Sequence, residues 1–148
     1  MTTLYIVRGI PGSGKSTYAR LLNTQRIIHD KPQMAHYEAD QFFDGPDGYQ
    51  FDPRLLRVAH AWCFGNVVKA LREGQDTIVS NTFTRLSEMV KYLEINDLVD
   101  DVQIKIVELK TQYGNVHNVP EDKLKQMEER WEEIPEDMGF DVITIEAE

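Results

Sequence analysis

The sequence predicts an α/β protein: a three-layer αβα sandwich of about five mostly parallel strands flanked by helices. Three observations predict it. Strand-like and helix-like segments alternate along the chain, which is the pattern of a parallel sheet covered on both faces. A short β-branched strand near the N-terminus runs straight into a glycine-rich turn and then a helix. The chain has 148 residues, 41% of them hydrophobic, so one domain spanning residues 1–148 can bury a core.

The elements follow in order. Thr3 to Val7 is β-branched and aromatic and reads as a buried strand. Gly9-Ile10-Pro11-Gly12-Ser13-Gly14 must be a loop. A helix is predicted from Lys15 to about Leu22, with Tyr18, Ala19, Leu21 and Leu22 on its apolar side. Ala35 to Ala39 reads as a weaker second strand, and residues 41–52 as a loop. Asp52-Pro53 opens a helix, an N-cap acid followed by proline at the first position, and Gly74 stops it after about Glu73. Thr77 to Ser80 is a third strand. Leu86, Met89, Val90 and Leu93 mark a helix, and Val102 to Leu109 a fourth strand. After a loop over 110–119, Pro120 opens a helix with Leu124, Met127, Trp131 and Ile134 along one stripe, and Val142 to Ile145 is a fifth strand.

The formal net charge is −9, but it is uneven. Residues 1–74 sum to +2, and residues 121–148 carry 11 acidic against 3 basic side chains. The acidic C-terminal helix and tail, about 120–148, read as a solvated face or a partner surface. The balance disfavours broad binding to duplex DNA. The single cysteine, Cys63, excludes an intramolecular disulfide and a cysteine-based zinc site. No apolar run approaches the ~18–20 residues that span a bilayer, so no membrane association is expected. Met1-Thr2-Thr3 has no positive charge to open a signal peptide, and a cytoplasmic location is the default expectation.

In a parallel sheet the C-terminal strand ends share one rim, where ligands bind. The residues expected to face a ligand are therefore Arg8-Gly9, Asp40, Asn81 and Lys110. The first of these opens Gly9-Ile10-Pro11-Gly12-Ser13-Gly14-Lys15-Ser16, which fits the phosphate-binding P-loop pattern G-x-x-x-x-G-K-[ST]. Glycines let successive backbone N–H groups curl around a phosphate, and the following helix adds its positive end. Gly9, Pro11, Gly12, Ser13, Gly14, Lys15, Ser16 and Thr17 are the expected phosphate-binding residues of a nucleotide cofactor. Lys15 reaches the β- and γ-phosphates, the Ser16 hydroxyl binds Mg²⁺, and Thr17 helps hold the phosphates. The expected fold is accordingly a P-loop NTPase or kinase.

The other strand ends separate hydrolases from kinases. Asp40 lies 25 residues after Lys15 at the expected end of the second strand. A carboxylate there can take the proton of an acceptor hydroxyl or bind Mg²⁺ through water; alternatively Asp40 caps a short helix starting at Gln41. The third strand ends in Asn81 rather than an acid, which disfavours a motor-type ATPase. Lys110 can swing over the phosphates as a lid, or be a solvated lysine. Tyr113 and His117 follow it, and His117 and His60 are more naturally structural than catalytic. Phe42, Phe43, Tyr49 and Phe51 can stack bases, although a local core is the commoner outcome. Arg54 and Arg57 are candidates for contacting a second phosphate or a nucleic-acid backbone. Arg130 either faces the ligand or pairs with Glu128 or Glu133.

Three stretches resemble P-loop kinase-like ATP-binding proteins (an AAA-type domain) related to the 5′-kinase domain of phage polynucleotide kinase. They are Arg8 through Thr17; Asp40-Gln41-Phe42-Phe43 with Tyr49 to Asp52 and Ala59-His60-Ala61-Trp62; and Asn81-Thr82-Phe83-Thr84 with Glu88-Met89 and then Val119-Pro120 through Met127 to Glu132. The resemblance implies an ATP-dependent phosphotransferase using Mg²⁺, with Lys15, Ser16 and Thr17 on ATP and metal and Asp40 as general base. It implies a nucleotide or nucleic-acid 5′-end acceptor and admits a phage origin. Three positions depart from the family pattern: Lys110 is the only Lys or Arg between 110 and 119, Phe43 stands near the place of an acceptor-side arginine, and Asn81 stands where some relatives have an acid. The alternatives are a kinase of a nucleotide sugar or small metabolite, or an ATP-binding switch module without kinase activity. Nothing in the sequence sets the oligomeric state.

Overall fold

The computed structural model describes residues 1–110 and 119–146. Its centre is β1 (Thr2–Arg8), followed by α1 (Lys15–Ile28), β2 (Ala35–Tyr37), a 3₁₀ turn (Ala39–Phe43), and the short hairpin β3 (Asp44–Gly45) and β4 (Gly48–Tyr49). Then come α2 (Leu56–Arg72), β5 (Thr77–Asn81), α3 (Leu86–Leu93), β6 (Val102–Lys110), α4 (Glu121–Glu129) and β7 (Asp141–Glu146). The main sheet has the order β2-β5-β1-β6-β7 and every pairing in it is parallel. The expected five-stranded α/β architecture is what the chain adopts.

Alternation along the strands sorts the core into two layers. Leu4, Ile6, Val79 and Ile106 point to one face, where they pack with Ala59, Cys63 and Val67 of α2 and Met89 and Tyr92 of α3. Val7, Ile78, Val107 and Leu109 point to the other, against Ala19 of α1. Both faces are covered, which is why these strands read as nearly continuous apolar runs.

Several boundaries differ from expectation, each for a tertiary reason. α1 runs to Ile28 rather than stopping near Leu22. Its extra turns are anchored from outside: Asn23 exchanges side-chain hydrogen bonds with the backbone of Met34 at 2.6 and 3.1 Å, and Arg26 pairs with Asp76 at 2.8 Å. The second strand is shorter than expected because the chain turns into the 3₁₀ segment at Ala39. The last helix ends at Glu129, so Trp131 and Ile134 do not continue its stripe. The backbone there is taken up by other partners: Glu132 N–H donates to Thr84 O at 2.7 Å, and Glu132 O accepts from Arg8 at 2.9 Å. Asp52 does accept from Arg54 N–H ahead of α2, which begins after a 3₁₀ turn at Pro53–Leu55. Gly74, at φ 81°, ends it.

Candidate functional site

The register brings the strand ends into line. Arg8 is level with Asn81 of β5 on one side and Glu108 of β6 on the other. The loop after β1 therefore emerges at the middle of the rim. Asp40 follows β2 on one side of it, and Lys110, two residues past Glu108, ends β6 on the opposite side.

The loop has the backbone its glycines were expected to permit. Gly12 and Gly14 sit at φ 86° and 93°, a region that favours glycine. At Gly9 a Cβ would collide with the Ser13 side chain. Gly14 caps α1, so Lys15, Ser16 and Thr17 form its first turn. Lys15 Nζ bends back to donate to Gly9 O at 2.8 Å and Ile10 O at 3.1 Å. Burial pushes the Lys15 ammonium down to about 8, against the opposing pull of Glu38 and Asp40.

Beside the loop is a cavity of about 310 Å³ whose wall includes Ser16, Arg20, His36, Glu38, Asp40 and Tyr49. It unites the expected metal-binding hydroxyl with the expected base. Asp40 does not cap the 3₁₀ turn; the N-cap is Glu38, two residues earlier. Asp40 Oδ1 instead accepts from the Tyr49 hydroxyl at 3.2 Å. Burial and the neighbouring Asp40 push the Tyr49 phenol up to about 12, so it remains a donor across the neutral range. Ala39 N–H, just before Asp40, donates to Asn81 Oδ1 at 2.9 Å. Asn81 also donates to Cys63 Sγ at 3.9 Å, a buried thiol whose pKa burial raises.

Two residues here escaped the sequence reading. Glu38 lies within the segment read as a weaker second strand, and its Oε1 accepts from Ser16 Oγ at 2.9 Å. Its Oε1 also lies 3.3 Å from His36 Nε2, which in turn is 2.7 Å from Ser80 Oγ. The signal for Glu38 was its closeness to Asp40 at the end of a rim strand. Tyr49 was read only as an aromatic ring, and its hydroxyl became relevant once the hairpin folded over.

Other expected residues do different work. Arg8 does not face a ligand: it is fully buried, bonded to Glu108 at 3.1 Å and to Phe83 O at 2.7 Å, and stacked 3.8 Å over Trp131. A charge at the centre of a parallel sheet is tolerated only with such partners. Lys110 pairs with Glu133 at 2.8 Å. Arg54 pairs with Asp52, and Arg57 is an exposed residue of α2. Arg130 takes neither expected option and donates to Thr84 Oγ1 at 3.0 Å. Phe43 is buried in the core with Phe42 packed against it, while Tyr49 and Phe51 lie edge-on to Phe43 at 6.3 and 5.2 Å and remain exposed, so only the first two take the local-core role. His60 lies half-buried on α2, where burial lowers its pKa. Tyr113 and His117 lie outside the described residues.

Comparison with known proteins bears on the family and the fold. A family model described as an AAA domain matches residues 4–134. Human NEDD4-binding protein 2 is 28% identical over 138 residues, a match covering 87% of this chain and 8% of that protein. The chain thus spans less than a tenth of that curated relative. Among solved structures, a candidate kinase from Chloroflexus aurantiacus superposes with TM-score 0.70 at 17% identity, covering 98% of this chain and 88% of that one. A sugar kinase from Janibacter gives TM-score 0.64 at 15% identity, covering 99% and 86%. A fungal RNA kinase gives 0.56 at 14%, covering 98% and 74%. At these identities the likeness is one of fold, a P-loop kinase-like α/β fold. No helix among the described residues is long and apolar enough to cross a membrane.

Proposed function

The chain belongs to the AAA-domain family, and on that premise we propose that it is an ATP-dependent kinase. Residues 1–148 act as one unit that transfers the γ-phosphoryl group of ATP to a hydroxyl at the 5′ end of a nucleotide or polynucleotide. One observation carries the reading: Ser16 of the phosphate loop and Asp40 line the same cavity. A donor phosphate on the loop and an acceptor hydroxyl on Asp40 would then meet inside one wall.

Loop residues 9–17 hold the triphosphate, and Lys15 balances the charge that builds on the oxygens in flight. Asp40 accepts the proton of the acceptor hydroxyl as its oxygen bonds to phosphorus and the bond to the leaving ADP breaks. Catalysis of this kind is mainly positioning and charge stabilisation. Lys110 is paired with Glu133 at 2.8 Å, and release of that pair would free the lysine to approach the phosphates. The Ser16 hydroxyl and the Glu38 carboxylate are hard oxygen donors that suit Mg²⁺. Among the described residues no group of three or more His, Cys, Asp or Glu could hold a metal, so the ion would arrive with the nucleotide. Bound Mg²⁺ would neutralise phosphate charge. A cytoplasmic setting would supply both ATP and Mg²⁺ to the proposed activity.

A second acceptor class, a small uncharged polyhydroxy compound, is favoured by the cavity's charge. Glu38, Asp40 and Asp44 line it against Arg20 alone. The test is ATP labelled at the γ-phosphate, incubated with 5′-hydroxyl DNA and RNA, nucleosides, nucleotides, nucleotide sugars and simple sugars. A labelled acceptor that disappears with Asp40→Ala and with Lys15→Ala supports the kinase and names its substrate. Tight ATP binding with no labelled acceptor would make a nucleotide-binding switch the better account.

A further inference from the structure

P-loop sites commonly hold Mg²⁺ between the loop hydroxyl and an acid at the end of another strand. In this chain the strand beside β1 that would offer the acid, β5, ends in Asn81. Asn81 is committed elsewhere: its side chain serves Ala39 N–H and Cys63, and it is 9% exposed. Glu38, beyond the end of β2, has its carboxylate on the loop hydroxyl instead, at 2.9 Å from Ser16 Oγ.

We propose that Glu38 supplies the carboxylate of the magnesium site, taking over from the second strand the place that Asn81 leaves without an acid. Two further features support it. Ser16 and Glu38 line the same cavity wall. Its backbone is held, with Glu38 N–H donating to Gln41 Oε1 at 3.2 Å, and Gln41 Nε2 donates to His36 O at 3.3 Å. A carboxylate fixed in this way loses little freedom when an ion binds. Mg²⁺ is usually held by one or two carboxylates plus phosphate oxygens and water, which is the set that Ser16, Glu38 and a bound nucleotide would complete.

The proposal rests on the nucleotide-binding part of the reading above, but not on transfer to an acceptor. Its test therefore uses binding alone. Mn²⁺ replaces Mg²⁺, and its affinity for the protein–ADP complex is followed by electron paramagnetic resonance. Glu38→Gln is expected to weaken Mn²⁺ by ~10-fold to 100-fold, while metal-free ADP binds within about twofold of wild type. Glu38→Asp, which keeps the charge and withdraws it by one methylene, is expected to fall between. Thermal melting checks that each variant is folded. Mn²⁺ affinity unchanged in Glu38→Gln but lost in Ser16→Ala would overturn the proposal. Loss of ADP binding in the wild type would overturn it together with the P-loop reading. Normal Glu38-dependent Mn²⁺ binding with no acceptor labelled would remove the kinase and leave the metal site standing.

Discussion

The side chain of Asn81, at the end of β5, accepts the backbone N–H of Ala39 at 2.9 Å. That bond crosses from one rim strand to the turn that carries Asp40. It explains how a short, half-buried strand can place the proposed base with any accuracy. Asn81→Ala leaves the buried Ala39 N–H without its acceptor, a loss of about 1–3 kcal/mol. The denaturation midpoint should fall accordingly. Phosphoryl transfer should fall further than ATP affinity, because the displaced group is Asp40 and not the loop. Asn81→Asp, which keeps an acceptor oxygen but buries a carboxylate and loses the donor to Cys63, should recover only part of the stability.

Tyr49 steadies the same carboxylate from the other side. Tyr49→Phe keeps the ring against Phe43 and removes the hydroxyl that donates to Asp40. The expected result is a kcat lower by about tenfold, roughly the 1.4 kcal/mol of a charge-assisted hydrogen bond, with the KM for ATP unchanged. Equal kcat for the two proteins would show that Asp40 needs no such support.

Lys15 gives a pH dependence whose sign is set by burial. Its folded value, about 8, lies below the 10.5 of an exposed lysine. Between those values the unfolded chain binds more protons, so the nucleotide-free protein should gain stability as pH rises from 8 to 10.5. Below pH 8 the cost of the buried charge is fully present. Nucleotide affinity should run the opposite way, weakening as pH rises through 8, with proton uptake on binding. Calorimetry in buffers of different ionisation enthalpy measures that uptake, and Lys15→Met should abolish both trends.

The buried Arg8–Glu108 pair should respond asymmetrically. Arg8→Met leaves Glu108, which is 2% exposed, with only a 3.3 Å hydrogen bond from Thr144 Oγ1 and Lys110 at 4.0 Å, and should cost about 3–5 kcal/mol. Glu108→Gln leaves Arg8 three carbonyl acceptors, Phe83 O, Thr84 O and Glu132 O, and should cost less, about 1–3 kcal/mol. Urea unfolding of the two variants gives the order. The reverse order would mean that the carbonyls do not compensate the guanidinium.

Local signals foretold the parts of the site that are contiguous in the chain. The P-loop needs only a strand, glycines that adopt positive φ and a helix start, all within residues 3–17. The strands were visible because sheets covered on both faces leave uninterrupted apolar runs. The ends of elements were less visible, since Asn23, Arg26 and Glu132 extend or stop helices through partners far away in sequence. Charged side chains were the hardest to assign: Arg8 and Lys110 both sit at strand ends, and an ion pair with a distant glutamate engages each of them.

By itself the sequence determined the α/β architecture, the phosphate loop and the candidacy of Asp40, because periodicity and backbone preference act over a few residues. The tertiary structure alone decided which polar groups meet. It buried Arg8, placed Glu38 on Ser16, and turned Asn81 and Tyr49 toward the Asp40 turn. Those pairings join residues 9 to 124 positions apart, and their geometry exists only once the sheet order has aligned the strand ends.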